Sequence, residues 1–134
     1  MANHGLRVQW EPSHGVGNEL LDQQHRTLAA HCNALADGLA DTSPEGQTRF
    51  RQLFAELMTC AREHFATEAA ELAAAGGQLV EATQQDQAEF EYLAAEIITT
   101  EHFSNEELQR FLALWWTGHI RDCVRKHGEL PSPQ

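Results

Sequence analysis

The sequence predicts an all-α fold, an antiparallel up-down-up-down four-helix bundle with an N-terminal arm. Apolar residues recur at three-to-four spacing along successive segments, helix start and stop signals bracket those segments, and neither strand-like alternation nor a hairpin dipeptide interrupts them. Short joints between the segments favour antiparallel neighbours. A length of 134 residues, 42% of them apolar, suits a single domain with one buried core.

Residues 1–17 carry Pro12, Gly15 and Gly17 and little periodicity, so they read as an arm laid on other elements, with Trp10 and Val16 as its anchors. Asn18 is the expected N-cap of the first helix, whose stripe is Leu21, His25, Leu28, Cys32, Leu35 and Leu39. The run Asp41-Thr42-Ser43-Pro44-Glu45 starts the second, since it offers a capping residue, a proline for the first turn and Glu45 three after Thr42. Its stripe is Phe50, Leu53, Leu57, Cys60, His64, Glu68 and Leu72, and Gly76-Gly77 stops it.

Leu79, Thr83, Gln87, Phe90, Ala94 and Ile97 line one face of a third helix that is expected to fray near His102. Ser104 and Glu107 form a capping box for the fourth, whose stripe of Leu108, Leu112, Trp115, His119 and Cys123 ends near Gly128. Trp115, in register with His119, is expected in the core, and Trp116 on a flank or against another chain. The bundle thus spans 18–128, and 129–134 is expected to be a loose tail.

Composition narrows the function classes. A formal charge of −11 argues against nucleic acid or an anionic membrane as partner. No apolar run approaches the roughly 20 residues of a membrane-spanning helix, and the start lacks the layout of a secretion signal, so a cytoplasmic location is expected. Three widely spaced cysteines, Cys32, Cys60 and Cys123, form neither a disulfide framework nor a CxxC metal motif. Eight histidines in a small acidic chain point instead to metal or proton chemistry.

A bundle turns each stripe toward a shared axis, so His25, His64, Glu68 and His119 should point inward from three helices. A buried carboxylate without a partner costs several kcal/mol, which requires Glu68 to be protonated, paired with histidine, metal-bound or less buried than the pattern implies. His64 and Glu68 are one helical turn apart, within reach of a common atom. With His25 they make two imidazoles and a carboxylate, the ligand mix of non-haem ferrous sites with open positions. Spacing alone favours a buried, hydrogen-bonded His–Glu network over a metal site.

Trp10, Val16-Gly17, Leu21-Asp22-Gln23-Gln24-His25, His64-Phe65-Ala66-Thr67-Glu68, Trp115 and His119-Ile120 resemble, in order and spacing, the pattern of the bacteriohemerythrin family over about residues 10 to 125. The resemblance implies a four-helix bundle around a non-haem di-iron centre that binds dioxygen. It also implies ligands that this chain lacks. Aligning on Ala88-Glu89-Phe90 puts the family's third-helix histidine pair at Thr83 and Gln87, and its bridging fourth-helix aspartate falls at Val124. Carried over, His25, His64 and Glu68 complete one half-site, while only His119 remains of the other.

The expected metal ligands are therefore His25, His64, Glu68 and His119, holding one iron per chain rather than a di-iron pair, with zinc as an alternative. Open positions would take a small ligand such as dioxygen or nitric oxide. Gln87 offers an amide oxygen, whereas the shorter Thr83 is expected to donate to a backbone carbonyl, and the favoured account of both is as polar substitutes beside buried water rather than as ligands. Cys123 shares a face with His119 and offers a thiolate that would favour zinc. Cys32 and Cys60 read as core packing, and no cysteine enters the expected ligand set. Asp22, Asp122, His4, His14, His31, His102 and His127 are expected to face solvent. The competing functions are a metal-free interaction module of the same fold and, behind it, a mononuclear iron oxidase. A protein partner or homo-oligomer is left unspecified by the sequence.

Overall fold

The structure, a computed structural model, describes residues 5–128. It consists of α1 (Glu19–Gly38), α2 (Pro44–Ala74), α3 (Val80–Ile98) and α4 (Asn105–Gly128), with no strand among the described residues. His4 and the tail 129–134 lie outside them. Consecutive helices pack against one another, and α4 closes the ring against α1, which is the expected four-helix bundle. None of the helices is long and apolar enough to cross a membrane, among the described residues.

The helix boundaries follow local chemistry. Asn18 caps α1 by accepting from the Leu21 amide. At α2 the cap is Ser43, one residue after the expected Thr42: its hydroxyl oxygen accepts from Gly46 N–H, with Pro44 in the first turn. Asp41 accepts from Ser43 Oγ at 2.6 Å and orients that cap. A side chain at Gly46 would collide with Asp41, with a Cβ only 2.4 Å from its backbone oxygen, so the turn requires glycine there. Gly77, at φ 81°, returns its N–H to the Leu72 carbonyl and ends α2. Leu79 is not on the α3 face as expected; it precedes the helix in a left-handed conformation, φ 69°. α3 ends at Ile98, and His102 lies in the following turn with φ 64°.

The arm lies along α1 and α4, held by amide side chains whose role the apolar pattern did not reveal. Gln109, fully buried on α4, accepts from Leu6 N–H and donates to the carbonyls of Leu6 and Cys32. Asn33 on α1 makes a reciprocal pair with the Val8 backbone. Val8, 3% exposed, is the arm's deepest residue, while the expected anchors Trp10 and Val16 are half-buried. Trp10 still packs on the core, and its outer face carries the Arg26 guanidinium 4.9 Å from the ring centroid.

The core is built from Leu21, Leu28 and Leu35 of α1, Leu57 and Phe65 of α2, Phe90 of α3, and Leu112, Trp116 and Ile120 of α4. The tryptophans exchange their expected roles: Trp116 is fully buried, and Trp115 is half-buried with its Nε1 donating to Glu89 at 3.0 Å. Gln109, Ala113 and Ile120 are also buried on α4, and including them rotates the centre of the inward arc toward Trp116. Leu53, Cys60 and Ile97, counted on inward stripes, are half-buried.

Candidate metal centre

His25 of α1, His64 and Glu68 of α2 and His119 of α4 come together beneath Trp116, and all are at most 5% exposed. His25 Nε2 lies 3.1 Å from His64 Nε2, which lies 3.2 Å from His119 Nε2. Glu68 Oε2 is 3.4 Å from His64 Nε2 and 3.6 Å from His119 Nε2. Three ring nitrogens and a carboxylate oxygen thus crowd one locus.

Hydrogen-bond directions determine how His64 faces that locus. Thr67 Oγ1 gives its proton to the Glu63 carbonyl at 2.9 Å, so toward Gln24 it can only accept. Gln24 therefore turns its NH2 to Thr67 (3.1 Å) and its carbonyl oxygen to His64 Nδ1 (3.0 Å). An amide oxygen only accepts, so His64 is protonated at Nδ1 and presents a bare Nε2 lone pair inward. Two imidazole nitrogens, from His25 and His119, then face a single sp² lone pair. A proton can satisfy one of these contacts; a cation satisfies all three nitrogens. This arrangement, with an outer partner fixing the tautomer, fits a metal-binding histidine.

The donor spacings fit as well. Bonds of about 2.0–2.2 Å to an ion separate adjacent donor atoms by about 3.0 Å at right angles and about 3.4 Å in a tetrahedron, and the His64 Nε2 separations from His25, His119 and Glu68, 3.1, 3.2 and 3.4 Å, fall in that range. A further donor joins: Cys123 Sγ lies 3.1 Å from Glu68 Oε2 and 3.3 Å from His119 Nε2. Donor atoms of His25, Glu68, His119 and Cys123 all fall within 4.8 Å of one another.

Charges are arranged around this core. Burial, reinforced by the neighbouring imidazoles, pushes His25 down to about 2 and lowers His64, so both rings are neutral. Burial would raise Glu68, but hydrogen bonds with His119 and His64 outweigh it and hold the carboxylate ionised. Burial likewise opposes charge on His119, yet Asp86, Cys123 and Glu68 together raise it well above its ordinary value. Asp86 Oδ2 sits 3.5 Å from His119 Nδ1 and is itself paired with Lys126. Burial pushes the Cys123 thiol up to about 11 despite His119 beside it.

Several expectations for individual residues change. Thr83 donates to Glu68 Oε1 at 2.9 Å and not to a backbone carbonyl, because α3 packs its Thr83 face against α2 at that level. Gln87 is half-buried and donates to Glu91, away from the centre. Asp22 is buried, not solvated: Oδ1 accepts from Val16 N–H and ties the arm to α1. His14, His31 and His127 are half-buried, and only His102 of the described flanking histidines is open to solvent. Asp122 is partly covered, paired with Lys126 and Arg125. Asp86 was missed altogether; its position three residues after Thr83, on the same side of α3, was the available signal.

A surface depression opens between α3 and α4. A surface hollow of about 310 Å3, lined by Asp86, Glu89, Trp115, Gly118, His119 and Asp122, reaches the edge of His119.

A family model described as the hemerythrin HHE cation binding domain matches residues 16–123. No curated protein and no solved structure matches the chain.

Proposed function

The chain belongs to the hemerythrin HHE cation-binding family, and from that membership we propose that it is a mononuclear non-haem metal protein that binds or senses a small ligand such as dioxygen or nitric oxide. His25, His64, Glu68 and His119 hold the ion. The observation that carries the reading is the His64 Nε2 lone pair, fixed by Gln24 and faced by two further imidazole nitrogens and a carboxylate oxygen. A dication there supplies Lewis acidity and, if it is iron, a redox centre with positions left for an exogenous ligand.

Support for one ion rather than two comes from the α3 side. Thr83 is engaged with Glu68 Oε1 and Gln87 points to Glu91, so α3 contributes no imidazole to a second ion. The residues of this chain bind and orient: neutral His25 and His64 offer lone pairs, Glu68 offers charge, and Phe65, Phe90 and Trp116 keep water from the inner wall. Binding, not turnover, is the proposed role, in a cytoplasmic protein.

Elemental analysis after anaerobic loading with ferrous or zinc salt tests this. About one ion per chain is expected, falling below a tenth of that in His64→Ala at unchanged helicity. Fully helical wild-type protein that takes up neither metal overturns the proposal in favour of a metal-free module.

A further inference from the structure

The four histidine and glutamate donors leave a charge problem. A dication held by three neutral imidazoles and one carboxylate retains a net positive charge in a nearly water-free cavity, which is costly. The nearest group able to cancel it is Cys123. The residue is 3% exposed, its sulfur lies 3.1 Å from Glu68 Oε2 and 3.3 Å from His119 Nε2, and it joins His25, Glu68 and His119 in the one group of donors that lie within 4.8 Å of one another among the described residues. Carboxylate and thiolate together neutralise a dication.

Resting on the metal-binding reading above, we propose that Cys123 Sγ is a ligand of the ion, bound as a thiolate. The step balances simply: the S–H bond breaks, a metal–sulfur bond forms, and the proton leaves to solvent. The high thiol pKa caused by burial is no obstacle, because a coordinating cation deprotonates a thiol outright. Cys32 and Cys60 do not compete. Cys32 belongs to the main apolar core, and Cys60 is half-buried on α2 against that core.

A sulfur donor changes the choice of ion. Thiolate disfavours magnesium and calcium and suits zinc, cobalt and ferrous iron, so the site selects softer metals than an all-nitrogen-and-oxygen set would. It also leaves fewer positions for an exogenous ligand.

Cobalt(II) is the probe, since a sulfur-to-cobalt charge-transfer band in the near ultraviolet is separate from the visible ligand-field bands. Cobalt-loaded wild type is expected to show both, and the Cys32→Ala/Cys60→Ala double variant, which keeps Cys123, is expected to retain the charge-transfer band. Cys123→Ser is expected to lose that band, keep the ligand-field bands and bind cobalt roughly 10–100-fold more weakly, at least the loss an outer-shell partner causes. Cobalt bound by wild type without the band, or a band lost in the double variant, overturns the sulfur ligand and leaves the metal-binding reading intact. Wild type that binds no cobalt overturns both.

Discussion

Thr83 Oγ1 donates a 2.9 Å hydrogen bond to Glu68 Oε1, joining α3 to the buried carboxylate of α2. The bond divides the two carboxylate oxygens by task. Oε1 is held by the threonine, and Oε2 is turned toward His64, His119 and Cys123. With Glu68 only 2% exposed, the contact gives its second oxygen a partner as well.

Thr83→Val is nearly isosteric and removes only this donor. It should leave the helices intact, cost about 1–3 kcal/mol from an unsatisfied Oε1, and weaken zinc binding about 10–100-fold. Competition against a chromophoric chelator measures the affinity, and urea denaturation of the metal-free protein measures the stability.

Gln24→Leu deletes the acceptor that keeps the His64 proton on Nδ1. The ring is then free to place its proton on Nε2, the nitrogen needed for the ion, and zinc affinity should fall about 10–100-fold. Gln24→Glu keeps an acceptor at the same place and should restore most of the loss. Nitrogen-15 NMR of the imidazole reports the tautomer directly, with a mixture expected in the leucine variant.

The metal-free protein should be most stable near neutrality. His25 and His64 are lowered below the ordinary 6.5 in the folded state, so the unfolded chain takes up protons first as pH falls, and each removes about 1.4 kcal/mol per pH unit between its unfolded and its folded value. His119 has the opposite sign. Its raised pKa contributes stability that is complete below 6.5 and is lost as pH rises through the folded value. Denaturant midpoints across pH 4–9 give the profile, and His119→Gln should remove the alkaline decline while leaving the acid one.

Restoring the absent donors tests the helix registers. Thr83→His, Gln87→His and Val124→Asp together should add a second iron and the absorption of an oxo-bridged pair. Thr83 already reaches Glu68, which supports the α3 register. Metal content staying at one ion would place Gln87 or Val124 out of reach.

Trp116 and Trp115 should differ sharply as core residues. Trp116→Ala empties a fully buried volume and is expected to cost about 3–5 kcal/mol, whereas half-buried Trp115→Ala should cost less than half of that. Thermal unfolding of the two variants decides it, and equal losses would contradict the burial seen here.

What the sequence determined by itself is local. Helix starts at Asn18, Pro44 and Asn105, the stop at Gly76-Gly77, and the inward placement of His25, His64, Glu68 and His119 all follow from capping chemistry and a 3.6-residue period within single helices. Tertiary structure decided how far each helix turns about its axis and which side chains then meet across helices. Trp116 displaced Trp115 because the buried arc of α4 also takes in Gln109, Ala113 and Ile120, which the Leu108-Leu112-Trp115 stripe left out. Thr83 met Glu68, Gln24 met His64 and Cys123 met Glu68 through packing between helices, across 15 to 55 residues of chain, whereas the Cys123–His119 contact is one turn of α4. A spacing rule describes one cylinder; the contacts that orient a shared cluster depend on the relative rotation and depth of four, which only the assembled core sets.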